Sequence, residues 1–300
     1  MDKHKNNQLR GSLLIAISAL FYASYGLWSK LMIGTFGEFN QAWIRAVMLL
    51  SVLIPFGLLT NKFKKISAND WKWFIAISIV GGLNQAPYFW GFENLPVATA
   101  TVLFYLSLTL GTYIIGGFFF KEKLTIIKYI SFLLGFAGVA VIYSFSLSPS
   151  QTLPAISTIT AGFMGATFVV FSKKISSNYT ETQILTALVL CVFVGNGIIS
   201  LVLGEQTPSF TLSIAWIAQL CYAVSYLLAN MAVIAGFKHL EPSIGGIIGL
   251  LEVVFATVLG VIIFGEVITS ELIIGSLLIL VAAGLADGYR LIKRKYPRRI

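Results

Sequence analysis

Ten apolar runs, each about the length of a membrane-crossing helix, constrain this chain more than any other feature of its sequence. A helix needs roughly 20 mostly apolar residues to cross the hydrocarbon core of a bilayer. The segments between the runs are only a few residues long and leave no room for a water-soluble domain. The sequence therefore predicts an all-α integral membrane protein with ten transmembrane helices. The runs are roughly 11–33, 40–60, 71–92, 96–120, 124–146, 154–173, 182–203, 211–235, 242–265 and 270–292.

The charge content agrees with this prediction and argues against several other classes of protein. Only 11% of the residues are charged, whereas a soluble domain carries about 25%. The net charge of +9 comes from small basic clusters between the apolar runs and at both ends, so nucleic acid is not an expected partner. Cys191 and Cys221 lie inside apolar runs without motif spacing, and we expect no disulfide or metal site. P-loop, HExxH and GxSxG motifs are missing, so we expect neither a cofactor nor an enzyme.

The placement of basic residues predicts the orientation of the helices. Cytoplasmic loops of membrane proteins are enriched in lysine and arginine. With the N-terminus inside, all of the 21 basic residues except Lys30 and Arg45 fall in inner segments or in the two tails. Those two lie within the first two runs, near the outer side. The bias predicts a multi-pass protein of the cell inner (cytoplasmic) membrane with both termini cytoplasmic.

The chain also repeats itself at half its length. Internal similarity at a fixed offset is the mark of a duplicated unit. Three matches occur in the same order at offsets of 143 to 145 residues, and they predict two repeats, residues 1–148 and 149–300. The matches are Ser29-Lys30 with Ser172-Lys173, Gly91-Phe92 with Gly236-Phe237, and the hexapeptide at 120–125 with that at 264–269.

Each half holds five helices, and five is an odd number, so the second half must enter the membrane from the opposite side. The prediction is therefore two inverted five-helix repeats. In such proteins the substrate site lies near the middle of the membrane, between the repeats, and the repeats alternate access to it. Two GxxxG pairs, Gly245 with Gly249 and Gly284 with Gly288, are expected to allow close helix packing.

The same turns carry a family resemblance. The stretch from Leu250 to Ala256 (LLEVVFA), followed by Gly265-Glu266-Val-Ile-Thr269, resembles the second-half signature of the EamA-type drug/metabolite transporters. Lys121 replaces the small residue that the first half of this family has before its glutamate, and Val253 stands where many members have proline. The resemblance implies two five-helix halves and transport of a small molecule. The family's substrates range from amino acids and nucleobases to choline-like cations, nucleotide precursors and drugs.

Polar residues inside the apolar runs are the candidate substrate site. A charged residue at the membrane centre costs about 2.5–3.5 kcal/mol on insertion scales, and Glu252 lies about midway along its run. Asn84 and Tyr88 share a helix face in the third run, and Tyr226 and Asn230 share one in the eighth. Tyr105 and Trp43 are candidate aromatic walls. The alternative is that these residues form hydrogen bonds between helices, which hold the packing together.

Two lysine–glutamate pairs are candidate gates. Lys30 and Glu266 are predicted on the outer side, and Lys173 and Glu122 on the inner side, so the inverted repeat relates one pair to the other. Each pair would form when its own side is closed. The alternative is that each lysine extends to its membrane interface and each glutamate caps a helix.

These features predict a secondary transporter that moves a small organic metabolite by alternating access. A central carboxylate among aromatic rings favours an amino acid or a related amine or zwitterion. The expected partners are this substrate, a coupling proton or sodium ion and the lipid bilayer, in a monomer or a homodimer. A flippase for a lipid or lipid-linked precursor is the main alternative, followed by a channel and an intramembrane enzyme.

Overall fold

The computed structural model describes residues 2–95, 97–142, 148–265 and 267–295. Within these ranges the chain is helical and has no strand. The α-helices are α1 Asp2–Ala23, α2 Tyr25–Met32, α3 Glu38–Leu59, α4 Trp71–Gly82, α5 Gln85–Asn94, α6 Val97–Phe120, α7 Ile126–Ile142, α8 Thr152–Ile175, α9 Glu181–Val202, α10 Ile214–Phe237, α11 Pro242–Gly249, α12 Leu251–Phe264 and α13 Ser270–Lys295. A 3₁₀ turn, Pro149–Gln151, precedes α8.

Seven helical stretches of the described chain are long and apolar enough to cross a membrane. Two shorter apolar helices, Ile126–Ile142 and Ser270–Leu285, account for two more of the ten predicted runs. The one run that remains, the third (71–92), is divided between α4 and α5. The chain is thus an all-helical, multi-pass membrane protein. Ten crossings, and the side of the membrane on which the ends lie, stay predictions.

Large apolar side chains cover the outside of the bundle. Leu59, Phe118 and Leu201 are 79 to 83% exposed in the isolated chain. Soluble monomers rarely expose large contiguous apolar patches, whereas the hydrocarbon core of a bilayer favours such side chains. The described surface therefore suits lipid as its solvent.

The helix contacts follow the repeat. Helix α1 packs on α10 and on α11 and α12, and its counterpart α8 packs on α4 and α5 and on α6. In the same way, α9 contacts α4 while its counterpart α3 contacts α10. The remaining large contacts join counterparts directly, α3 with α9 and α7 with α13. Exchanging the two halves leaves this pattern of contacts unchanged, and most of the packing joins one half to the other.

Glycines bring α7 and α13 close together. A Cβ added to Gly138 would lie 2.6 Å from the Gly275 carbonyl oxygen, and one added to Gly275 would lie 2.5 Å from the Gly138 carbonyl oxygen. Only residues without a Cβ allow backbones to approach this closely. The prediction of close packing at Gly249 and Gly284 was wrong, since an added Cβ would meet no atom within 4 Å at either position. The surroundings of Gly288 lie outside what the structure describes.

Three of the predicted runs are interrupted near their middle. The first breaks at Ser24, between α1 and α2; the third at Leu83 and Asn84, between α4 and α5; and the ninth at Leu250, between α11 and α12. Pro87 explains the second break, because proline cannot donate to the carbonyl four residues earlier, which here belongs to Leu83. Discontinuous helices are tolerated at membrane depth where the protein buries them or where they line a cavity.

Candidate functional site

Glu252 lies at one of these breaks. At Leu250 the α-helical hydrogen bonds, which span four residues, give way to bonds that span three, from the Leu250 N–H to the Ile247 carbonyl and from the Val253 N–H to the Leu250 carbonyl. Glu252 therefore falls in the first turn of α12, where the helix dipole favours a negative charge. Its carboxylate accepts a hydrogen bond from the Tyr105 hydroxyl of α6. The structure thus joins two of the predicted site residues, one from each repeat.

A cluster of tyrosines lies beside this carboxylate, around the break in the first run. The Tyr25 ring lies 4.5 Å from the Tyr222 ring and 6.0 Å from the Tyr226 ring, and the Tyr22 and Tyr25 rings make an edge contact at 5.2 Å. Tyr22 and Tyr222 both lie within electrostatic range of Glu252. The predicted polar and aromatic face of α10 thus meets the broken first run of the other repeat.

Asn230 holds one of these rings in place. Its side-chain oxygen accepts a hydrogen bond from the Tyr22 hydroxyl at 3.0 Å, and its amide donates to the Tyr226 carbonyl at 2.9 Å. Asn230 is only 3% exposed. The geometry gives this residue a positioning contact between the repeats.

Arg45 is a member of this cluster that the sequence reasoning did not include in the site. Its guanidinium lies 3.9 Å from the centre of the Tyr222 ring and 5.5 Å from that of Tyr226. The residue is 2% exposed, and it takes part in none of the ion pairs found among the described residues. The energetic argument that singled out Glu252 applies equally to an intramembrane arginine. That signal was available, but Arg45 was assigned only to the outer side of the membrane.

Of the two predicted residues of the third run, Tyr88 adjoins the site through aromatic contacts. The Tyr88 ring meets the Phe104 ring at 5.2 Å, and Phe104 meets Tyr105, the hydrogen-bond partner of Glu252, at 5.3 Å. Asn84 lies at the break before α5, and its buried side-chain oxygen has no partner within the part of the chain that the structure describes.

Trp43 packs beside the tyrosine cluster. It stacks on Phe193 at 6.0 Å and packs against the group of buried residues that includes Tyr222. Six of the seven predicted binding residues, all but Asn84, are thus connected through ring contacts, hydrogen bonds or shared packing, and whether any of the seven touches substrate stays a prediction.

The predicted gating residues Glu122 and Lys173 contact neighbouring parts of the second repeat, the first turn of α11 and the loop that precedes it. The Glu122 carboxylate accepts a hydrogen bond from the Ser243 hydroxyl at 2.6 Å. The Lys173 ammonium donates to the Leu240 carbonyl. Glu122, in the connection between α6 and α7, thus joins the first repeat to α11, whereas Lys173 joins α8 to the loop before α11 within the second repeat.

Lys128 was not predicted as part of this network. Its ammonium lies 3.6 Å from a Glu122 oxygen and 2.7 Å from a Glu241 oxygen, and its side chain is 7% exposed. It therefore bridges a carboxylate of each repeat. Of the predicted outer pair, Glu266 lies outside the described residues, and Lys30 is exposed near the end of α2.

An apolar groove elsewhere on the molecule lacks the features of a metabolite site. It has a volume of about 410 Å³ and lies between α4 and α9, with Phe74, Ile79 and Leu190 among its lining residues. It contains no charged side chain, whereas small-molecule sites combine apolar walls with a few converging polar groups. The cluster around Glu252 and Arg45 fits that description better.

The fold and the site thus define a helical membrane protein built from two interlocked repeats around shared polar residues. The model of the EamA-like transporter family matches residues 9–144 and 152–286, and the chain belongs to that family. The match confirms the family resemblance, and the family is one of transporters.

Solved structures show the same fold. One, described only as the crystal structure of a protein, superposes with a TM-score of 0.79 at 18% identity, over 92% of this chain and 97% of that one. At this identity the likeness concerns the fold alone. No curated protein sequence matches the chain.

Proposed function

We propose that this protein is a secondary transporter that moves a small organic metabolite across the cytoplasmic membrane by alternating access. An amino acid or a related amine or zwitterion is the favoured substrate class. The observation that carries the proposal is the position of Glu252, at a helix break between the repeats, with a hydrogen bond from Tyr105 and tyrosines close by. Membrane carriers place substrate sites at discontinuous helices between their repeats.

Charge and shape favour a cationic group at this site. A carboxylate attracts an ammonium group directly, and aromatic faces attract it through their quadrupoles. Tyr22 and Tyr25 supply two such rings, beside those of Tyr222 and Tyr226, which face Arg45. Coupling to a proton or a sodium ion at the same carboxylate is part of the proposal.

The network around Lys128 supports a role in closing one side. Glu122 and Lys128 come from the first repeat, and Glu241 and Ser243 from the second. Separating the repeats on this side requires the contact of Lys128 with Glu241 and that of Glu122 with Ser243 to break. The contacts of a gate must break in this way during alternating access. We propose that the Lys128 network is the closed inner gate and that Lys30 and Glu266 form its outer counterpart.

Counterflow in proteoliposomes tests the function. The purified protein is reconstituted with an unlabelled amino acid or amine inside the vesicles, and entry of the same labelled compound is followed. A carrier gives saturable uptake that is accelerated by internal substrate, whereas a channel gives flux without counter-exchange. Transfer of a labelled phospholipid between leaflets, without amino acid or amine flux, would instead establish the flippase alternative.

Matched variants connect that flux to the site. We expect Glu252→Gln to abolish counterflow, or its dependence on pH, while the protein stays folded. Glu271→Gln removes an exposed carboxylate and should transport normally. If Glu252→Gln has unchanged uptake kinetics, Glu252 has no part in the mechanism.

A further inference from the structure

Arg45 and Tyr25 present two buried hydrogen-bond donors that the described part of the protein leaves without a partner. We infer that they form a carboxylate-binding subsite, and that the substrate is therefore a zwitterion with its ammonium group toward Glu252 and its carboxylate toward Arg45. This inference rests on the transporter proposed above. It narrows the substrate class from amines in general to amines that also carry a carboxylate.

The burial of Arg45 is the first observation. Arg45 lies seven residues into α3, about 10 Å from the start of that helix. It is 2% exposed, and its Nη1 atom has no hydrogen-bond partner among the described residues. Leaving a buried charged donor unpaired is strongly unfavourable. An anionic ligand that completes the pair would remove this penalty.

The tyrosines explain how the arginine is held while a donor stays available. Tyr222 lies 3.9 Å from the guanidinium carbon, within cation–π range. A cation–π contact occupies the face of the guanidinium plane, whereas the N–H groups point outward within that plane. Arginine in this setting still offers the planar arrangement that pairs best with a carboxylate.

Tyr25 supplies the second donor. Its hydroxyl is buried and has no partner in the described chain. Its ring lies 4.5 Å from the Tyr222 ring, on which Arg45 stacks, and it lies within electrostatic range of Arg45. A carboxylate has two oxygens and can accept from both groups at once.

Tyr222 lies between this carboxylate-binding subsite and the carboxylate of Glu252 in the network of interactions. It lies within electrostatic range of both Arg45 and Glu252, yet those two residues form no ion pair with each other among the described residues. Opposite charges in one cluster, neither with an oppositely charged partner in the part of the chain that the structure describes, match the two ends of an amino acid. A simple amine would leave Arg45 unpaired.

Thermal unfolding of the full-length protein in detergent tests the inference, because a ligand of the native state raises the unfolding temperature by mass action. The probes are leucine, phenylalanine and serine, each beside its primary amide and its decarboxylated amine. We expect stabilisation by at least one amino acid, with roughly 10- to 100-fold weaker binding of the matched amide and amine, as for the loss of a hydrogen bond to a charged group.

Variants assign that preference to Arg45. Arg45→Gln should bind the amino acid and its amide equally well, and Arg45→Lys should keep part of the preference. Because Arg45→Lys keeps the charge, it is the variant that tests the subsite if Arg45→Gln does not fold. Lys65→Gln, which removes an exposed charge, should behave as the wild type.

Three results would overturn the subsite. They are equal stabilisation of the wild type by an amine and its amino acid, a preference that persists in Arg45→Gln, and no stabilisation by any of the amino acids. Counterflow of amines decides the transporter proposal separately, so a transporter of simple amines would refute the subsite alone.

Discussion

Lys121 and Gly265 occupy equivalent positions in the two repeats, 144 residues apart, and both have a left-handed backbone, with φ of 50° and 66°. Each follows directly on the end of a helix, α6 or α12. Glycine adopts this conformation without steric strain, whereas a residue with a Cβ does not. The duplicated turn therefore carries its usual glycine in the second repeat and a strained lysine in the first.

We expect Lys121→Gly to stabilise the protein by roughly 1 kcal/mol, because relief of the left-handed strain outweighs the greater freedom of glycine in the unfolded chain. The unfolding temperature in detergent measures this. Lys123→Gly is the matched control, since Lys123 is not among the residues with positive φ, and it should be neutral or destabilising. A lower unfolding temperature for Lys121→Gly would contradict the argument.

Removing Lys128 should destabilise the conformation seen here far more than removing a similar surface partner. We expect Lys128→Met to lower stability by about 3–5 kcal/mol, since it leaves the buried carboxylate of Glu122 without its cation. Lys238→Met breaks a pair of similar length, 2.6 Å to Glu181, with both side chains about 30% exposed, and should cost less than about 1 kcal/mol.

Adding Glu122→Gln to Lys128→Met should recover part of the lost stability, because the unpaired buried charge is then removed. Unfolding temperatures of the two single variants, the double variant and the wild type form the required cycle. Equal losses for Lys128→Met and Lys238→Met would show that burial does not strengthen this network.

The hydrogen bond between Tyr22 and Asn230 joins the two repeats within the membrane, and we expect its contribution to be small. Tyr22→Phe and Asn230→Ala should show a coupling energy of about 0.6 kcal/mol, the average for such bonds in a membrane protein. A double-mutant cycle of unfolding free energies measures it. A coupling energy near zero would mean that the two side chains are positioned independently.

His239 gives the protein a modest dependence on pH. Partial burial, with the nearby charges of Arg10 and Lys238, lowers the pKa of this imidazole below its ordinary value of 6.5. The unfolded chain therefore binds a proton more readily than the native one, and stability falls as the pH drops through 6.5. Between pH 8 and pH 5.5, the unfolding temperature of His239→Gln should fall less than that of the wild type. An identical loss in both proteins would refute this assignment.

Comparison of Glu252 with Arg45 shows how far sequence reasoning reached into the site. Glu252 was found because an ionisable residue within an apolar run is energetically conspicuous. The helix break beside it was not foreseen, because Leu250 and its neighbours contain no proline. The tyrosines around Arg45 come from distant parts of the chain, Tyr25 and Tyr222, and nothing local to residue 45 indicates that they meet it.

The gating residues show the same limit. Repeat symmetry singled out Glu122, a charged residue next to a turn, but it did not single out Lys128, its partner in the structure, which lies six residues further along the same repeat. The other carboxylate that Lys128 contacts, Glu241, belongs to the second repeat. Which cation meets which carboxylate depends on where α11 begins relative to α7, and no spacing within the sequence records that relation.

The sequence by itself determined that lipid surrounds the chain, that the chain is helical and that it contains a duplication. The length of the apolar runs and the internal repetition are properties of the chain that do not depend on any tertiary contact. Only the tertiary structure decided which charges are buried together, where three helices break and which glycines meet backbone to backbone. Those outcomes depend on contacts between residues more than a hundred positions apart, such as Gly138 with Gly275 and Arg45 with Tyr222. Such contacts form only when the two halves pack against each other.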